Sequence, residues 1–384
     1  MTSNLNMMIK PASSNCNLSC KYCFYHSLSK SRKIKSYGYM DIDLLEKIVK
    51  KGLSYANSTC TFAFQGGEPT LVGIKFYEKL IEFELKYNYK NLLIVNAIQT
   101  NGIKIDEKWA KFLSENRFLV GISLDGPKEI HDVNRINNQG KGTFKKVMET
   151  ITLLNKYKVE YNILTVVTSL VARHTNRVYN FFKQHGFRYL QFIPCLNPLN
   201  GEREEKAYSL KSDKYAYFLK TIFDLWYYDI SKGHIISIQY FDNLLGLLMG
   251  YKQEVCGMTG QCTCQFIIES NGGVYPCDFY VIDQWYLGNI KVLEFDELLN
   301  SNNSKRFIEV SKYIDPKCNS CRWYYLCKGG CRRRREPFIN RKPRLNILCS
   351  AYQEFFEYAE DRLIKIANQL KAKRTIEQNN NYFN

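Results

Sequence analysis

SNCNLSCKYCFY, residues 14–25, places Cys16, Cys20 and Cys23 in one short loop. Three thiols this close are unsuited to separate disulfides. Three soft ligands and one open position would suit zinc, although catalytic zinc sites are usually richer in His and carboxylate. An iron-sulfur cluster ordinarily takes four thiolates, and here the fourth is missing locally. A cubane with one iron left free of protein explains the count.

What surrounds this loop sets the fold. Short β-branched or aromatic runs at 5–9, 60–65, 92–99, 118–124, 161–168 and 189–193 read as six strands. Amphipathic stretches at 41–55, 74–86, 106–115, 143–156 and 173–185 read as the helices between them, with Asp41 and Asp106 as N-caps. Repeated βα units imply a parallel sheet, and six of them predict an α/β, partial (β/α)6 TIM-like barrel. In such a fold active sites gather in the loops after the strands. The three-cysteine loop follows strand one, GGEP (66–69) strand two, TNG (100–102) strand three, DGP (125–127) strand four and PCL (194–196) strand six.

Composition bounds the rest. The 384 residues, 45% of them hydrophobic, suffice for two domains or a barrel with an appendage. No run approaches the roughly 18 apolar residues of a membrane helix, and the N-terminus lacks a signal peptide's apolar core followed by small residues. The chain is therefore read as cytoplasmic, with no membrane partner. Fourteen cysteines in that compartment point to metal or catalysis before disulfides. The net charge of +17 could serve nucleic acid, but much of it is scattered on solvated helix faces. Its densest run, RRRR at 332–335, also suits a cationic surface beside an anionic metal centre.

The helical stretch at 212–231 is read as core packing. Residues 1–235 are assigned to the barrel, 236–255 to a linker, 256–349 to a small domain held by metal centres, 350–372 to a C-terminal helix and 373–384 to a disordered tail. Nine of the fourteen cysteines fall within 256–349. They run Cys256, Cys262-x9-Gly272-x4-Cys277, Cys318-x2-Cys321-x5-Cys327-x3-Cys331 and Cys349, with Cys264 outside the pattern. Taken alone, the CxxC spacing there fits a pair of zinc ribbons. Eight thiolates are also enough for two fully ligated 4Fe-4S clusters.

CxxxCxxC in the first βα loop followed by GGEP resembles the signature of radical S-adenosylmethionine enzymes. The later cysteines resemble the SPASM motif that follows such domains in peptide- and protein-modifying members. Within that superfamily the chain most resembles anaerobic sulfatase-maturating enzymes, through IKPASSNCNLSCKYCFYHSLS, FAFQGGEPTL, GISLDGPKEIHDVNR, YLQFIPCL and VYPCDFYVID. The resemblance implies three 4Fe-4S clusters and S-adenosyl-L-methionine as cofactors. Cys16, Cys20 and Cys23 would hold the first cluster, whose open iron chelates the methionine moiety. Cys256, Cys262, Cys277 and Cys331 would hold the second, and Cys318, Cys321, Cys327 and Cys349 the third. Gln65, Gly66, Gly67, Glu68 and Ser123 are expected at the cofactor, the two glycines because they let backbone approach it closely.

The implied reaction converts a cysteine or serine in an unfolded sulfatase, or in a sulfatase-motif peptide, to Cα-formylglycine, with an electron donor such as flavodoxin or ferredoxin as second partner. Asp278 matches the family's base. An ordinary Asp at pKa about 3.9 facing a thiol at about 8.5 is short by roughly 6 kcal/mol. Burial beside an anionic cluster raises the Asp, and a radical on the adjacent carbon acidifies the thiol. Tyr25 either lines the substrate channel or packs the loop. His131 and Arg135 are read as part of a solvated loop helix, orientation of substrate or shaping of the cofactor site being the other option. Cys60 is read as a buried small hydrophobe, Cys264 as a non-ligand, and Cys195 is left open. Two other functions share features of the sequence: a radical SPASM maturase of a ribosomally made peptide, and a basic zinc-ribbon nucleic-acid-binding protein.

Overall fold

The computed structural model describes residues 4–199, 206–338 and 342–381, with side chains as far as 372. Ten strands are present among them: β1 (Leu5–Lys10), β2 (Thr59–Phe64), β3 (Leu93–Thr100), β4 (Leu119–Ser123), β5 (Tyr161–Val167), β6 (Tyr189–Pro194), β7 (Ser237–Ile238), β8 (Ile267–Glu269), β9 (Gly273–Tyr275) and β10 (Gly288–Asn289). The six expected strands correspond to β1 through β6, each within a residue or two. Contacts divide the chain into two compact units that alternate along the sequence: residues 1–165, 196–208 and 263–309 in one, and 166–195, 209–262 and 310–384 in the other.

In the first unit β1 to β5 form a parallel sheet in sequence order. β2 shows the physical pattern: Cys60, Phe62 and Phe64 alternate inward and are at most 1% exposed. The helices Ile42–Tyr55 and Glu107–Glu115 begin where Asp41 and Asp106 accept from the N–H groups of Leu44 (2.6 Å) and Trp109 (3.0 Å), as the sequence predicts. The order does not stop at β1. β8 adds to it in parallel, and β9 and β10 continue antiparallel, so part of the cysteine-rich C-terminal region extends the N-terminal sheet. The register sets Lys10 directly beside Glu269.

The second unit contains β6 paired with β7, and the helices Ser212–Ser231, Gln239–Leu248 and Cys349–Asn381. Phe223, Phe241 and Phe355, one from each of these helices, pack with centroids 5.4–5.8 Å apart. The expected linker at 236–255 is thus corrected: it carries β7 and a helix whose Phe241, Leu244 and Leu245 are buried. Its apolar spacing is short, and burial against the two longer helices stabilises it. The helix expected at 173–185 is Thr175–Gln184, and His174 separates it from a short helix before it, Ser169–Arg173, capped by Thr168. The last helix continues to Asn381, past the boundary at 372. Of the tail expected to be disordered, residues 382–384 and all side chains from 373 lie outside the described residues. No described helix is long and apolar enough to cross a membrane.

Candidate active site and cluster-binding cysteines

The loop after β1 brings Cys16, Cys20 and Cys23 together. Cys16 Sγ accepts from the Leu18 N–H (3.4 Å) and from Asn101 Nδ2 (3.8 Å), and Cys23 precedes the helix Phe24–Lys30. Burial pushes the Cys16 thiol up to about 12, with Glu68, Cys20 and Cys23 adding negative neighbours. Cys20 is pushed up to about 11 by burial, opposed by Arg135. Burial also raises Cys23, opposed by the Tyr25 and His26 N–H groups. Three crowded thiols in a dry loop need more positive charge than the chain provides there. Thiolate-bound iron supplies it, so this donor set fits a cluster.

GGEP lies against that loop. Gly67 has φ +53, and a Cβ there would sit 2.2 Å from the Asn15 carbonyl oxygen, so only glycine lets the two backbones meet. The Glu68 N–H donates to the same Asn15 oxygen (2.8 Å). Glu68, 1% exposed, accepts from Thr70 N (3.1 Å), Thr70 Oγ1 (2.6 Å), Thr100 Oγ1 (2.7 Å) and Asn101 N (2.8 Å). Its carboxylate is therefore occupied in tying the loop after β2 to the loop after β3. Ser123, also buried, ends β4.

Asp278 stands in the same unit as that loop. Its Oδ2 accepts from the Tyr25 hydroxyl (2.6 Å) and from Gln65 Nε2 (3.4 Å), while Gln65 Nε2 also donates to the Tyr25 oxygen (2.9 Å). Asp278 Oδ1 is buried without a hydrogen-bond partner, 3.6 Å from Lys10 Nζ. Lys10 also lies 3.8 Å from Glu269 Oε1 and 4.1 Å above the Tyr25 ring, and Arg32 binds Glu269 at 2.8 Å. A Cβ on Gly66 would meet the Lys10 side chain at 2.6 Å, so GGEP and this network share one packing constraint. Burial pushes the Asp278 carboxyl up, and Lys10 and the Tyr25 hydrogen bond oppose the rise. Burial and Asp278 together raise Tyr25, which keeps the phenol protonated as a donor.

In the second unit the later cysteines fall into two sets. Cys318, Cys321, Cys327 and Cys349 line one cavity of about 360 Å³, against roughly 30 Å³ for one water. Among the described residues no three His, Cys, Asp or Glu side chains converge as on a single metal ion. Four thiols around a void of that size fit a polynuclear cluster. Cys256, Cys262 and Cys331 form the other set: burial pushes Cys262 up to about 11, and Cys331 and Cys256 are its thiol neighbours. Cys277, just before Asp278, belongs to the first unit. Cys60 is fully buried, and Cys264 is raised by burial, opposed by the Phe266 N–H and Ser304.

Comparison with known proteins places this geometry. The model of the radical SAM superfamily matches residues 11–181, and that of the SPASM iron-sulfur cluster-binding domain matches 256–322. A cysteine-type anaerobic sulfatase-maturating enzyme of Clostridium perfringens is 56% identical over 96% of this chain and 99% of its own. The chain belongs to the anaerobic sulfatase-maturating enzyme family. A serine-type anaerobic sulfatase-maturating enzyme of Bacteroides thetaiotaomicron is 34% identical over 92% of this chain and 89% of its own. A solved structure of native anSMEcpe with bound AdoMet and Cp18Cys peptide superposes with a TM-score of 0.92 at 54% identity, covering 96% of this chain and all of that one.

This sulfatase-maturating enzyme also holds functional groups that the sequence motifs do not mark. Asp125 Oδ2 accepts from the Tyr22 hydroxyl and from Arg135 Nε (3.2 Å). His131, fully buried, accepts the Asp125 N–H at Nδ1 (3.3 Å) and meets Thr143 Oγ1 at Nε2 (3.0 Å). The reading of His131 and Arg135 as a solvated loop helix is therefore overturned: Asp125 and Thr143 satisfy their polar atoms in the interior. Tyr22 lies between Cys20 and Cys23, so this network fixes the cysteine loop from behind. Lys10, Arg32 and Glu269 went unmarked because their partners are distant in sequence, Arg32 and Glu269 being 237 residues apart. A charged Glu within the apolar-flanked run IIES is the one local sign of them.

Proposed function

We propose that the enzyme oxidises a cysteine side chain of an unfolded sulfatase to Cα-formylglycine, with Asp278 as the base. The cysteine preference rests on identities of 53–56% to cysteine-type relatives against 27–34% to serine-type ones. Cys16, Cys20 and Cys23 would hold the cluster whose open iron takes S-adenosylmethionine, with Gln65, Gly66, Gly67, Glu68 and Ser123 shaping the cofactor's surroundings. Cys256, Cys262, Cys277 and Cys331 would hold a second cluster and Cys318, Cys321, Cys327 and Cys349 a third. When bound, these groups supply one-electron chemistry: the first cleaves S-adenosylmethionine to methionine and a deoxyadenosyl radical, and an auxiliary cluster takes up an electron.

The observation that carries the reading is the arrangement of Asp278. Tyr25 and Gln65 hold Oδ2, while Oδ1 lies buried beside Lys10 with no hydrogen-bond partner. A substrate thiol that has lost hydrogen from its Cβ can pass its proton to Oδ1, where Lys10 holds the carboxylate ready. Loss of hydrogen atom, proton and one electron leaves a thioaldehyde, and water converts it to the aldehyde with release of hydrogen sulfide. The electron that starts each cycle would come from a donor such as flavodoxin or ferredoxin.

The test is incubation of the anaerobically reconstituted enzyme with S-adenosylmethionine and a peptide bearing the sulfatase motif, in cysteine and serine versions. The cysteine peptide is expected to lose hydrogen sulfide and gain one oxygen atom, and to do so faster than the serine peptide reacts. Deoxyadenosine formation with both peptide masses unchanged would reject this substrate and favour a maturase of another ribosomal peptide. Iron analysis is expected to give about twelve irons per chain with equal sulfide.

A further inference from the structure

Four arginines follow Cys331 in one 3-10 turn, Arg332–Arg335, three of them buried and Arg334 half-buried. Arg332, Arg333 and Arg335 are 3%, 8% and 5% exposed. The turn begins with the Arg334 N–H donating to the Cys331 carbonyl (3.0 Å), so the run is anchored on a cluster cysteine. Arg334 Nη2 donates to the Pro194 carbonyl (3.3 Å), and its Nε is buried without a partner. Arg335 donates to the carbonyls of Tyr313 (2.9 Å) and Ser311 (2.8 Å), and its Nε is likewise buried without a partner. Ser311 Oγ in turn accepts the Cys262 N–H at 2.7 Å.

Among the described residues the side-chain hydrogen bonds of Arg334 and Arg335 thus go to main-chain carbonyls. A buried guanidinium normally pairs with a carboxylate, because neutral acceptors do not repay the loss of water. Cysteine thiols lie near both arginines, and Asp315 shares the small cavity that Arg335 lines. Arg334 lies among Cys331, Cys195, Tyr215 and Tyr352. Arg335 and Cys318 line the same small cavity. Burial pushes Cys318 up, Asp315 and Cys321 add to the rise, and Arg335 is the cation that opposes it. Cys331 and Cys318 belong to different cysteine sets, so successive residues of the run face different centres.

A cluster held by four thiolates is anionic in both oxidation states and gains a further negative charge on reduction. A fixed cation therefore favours the reduced form, and cluster potentials follow local charge and hydrogen bonding. We propose that Arg334 and Arg335 are positioning residues for electron uptake, each raising the reduction potential of one auxiliary cluster, Arg334 at the Cys331 set and Arg335 at the Cys318 set. This rests on the eight-cysteine ligation proposed above.

The test is an EPR-monitored potentiometric titration of the full chain carrying Cys16→Ala, Cys20→Ala and Cys23→Ala, so that only the auxiliary clusters give signals. Arg334→Gln and Arg335→Gln are each expected to shift the oxidised-to-reduced ratio of one cluster at least tenfold toward oxidised, about 59 mV for one electron. Arg334→Lys and Arg335→Lys, which keep the charge, are expected to restore most of that shift. Full iron content with unshifted potentials in both Gln variants would overturn the inference while leaving the ligation intact. A triple-alanine parent that holds no iron would overturn the ligation and the inference with it. If a Gln variant loses iron, its Lys variant decides: an unshifted potential supports the charge, and a lowered one overturns it.

Discussion

The loop at Cys16, Cys20 and Cys23 and the cavity at Cys318, Cys321, Cys327 and Cys349 use the same ligand for opposite ends. The loop offers three thiols, with glycine backbone at Gly66 and Gly67 nearby and a carboxylate, Asp278, in the same unit. The cavity offers four thiols, walled by Tyr352 and Phe356, with Lys317 on its wall and Arg335 near Cys318. Three thiolates leave a coordination position for a reactant, whereas four close the centre and leave it only electrons to exchange. Ligand count is what separates the two groups of cysteines.

The most severe way to break this division is to remove the open site. Cys16→Ala, Cys20→Ala and Cys23→Ala together are expected to abolish deoxyadenosine formation while about eight irons per chain remain. Residual cofactor cleavage, measured by chromatography of the nucleoside, would mean that a four-cysteine centre performs it. Asp278→Asn separates radical formation from product. It should keep the irons and the deoxyadenosine yield but lower aldehyde formation by about 100-fold or more, within the usual range for a general base. Parent-like peptide turnover would remove Asp278 from the reaction.

The smallest effect lies away from both centres. Glu84 accepts from Asn96 Nδ2 (3.0 Å) with its other oxygen unpartnered, and burial pushes its carboxyl from 4.5 up to about 7. Below about pH 4.5 the group is protonated in folded and unfolded chains alike. As pH rises from there to 7, the unfolded chain ionises first, so stability falls across that window by about 3 kcal/mol at most. Glu84→Gln should raise Tm at pH 8 more than at pH 5 and leave deoxyadenosine yield unchanged. An equal Tm change at both pH values would rule out ionisation of Glu84 as the cause.

How much of this was legible in the sequence depended on distance along the chain. CxxxCxxC and GGEP are local, and a loop of fixed length holds such ligands close whatever follows. The six strands and the caps at Asp41 and Asp106 were legible for the same reason, since alternation and capping act over a few residues. Tyr25 and Asp278 are 253 residues apart, and no spacing rule links them. His131 and Arg135 misled because a polar short helix reads as solvated until its partners Asp125 and Thr143 are seen. The helix within 236–255 was legible and missed, since Phe241, Leu244, Leu245 and Leu248 already stand at helical spacing.

Sequence by itself determined the donors: three thiols in one loop, eight more between Cys256 and Cys349, and glycines where backbone must come close. Tertiary structure alone decided what those donors face. β8 joins β1 in register, which sets Glu269 beside Lys10 and so puts Lys10 next to Asp278. The turn after Cys331 sends charge inward that composition assigns to the surface. Ligand identity is written in side-chain chemistry, but the electric field at a ligand is set by groups that only folding brings near.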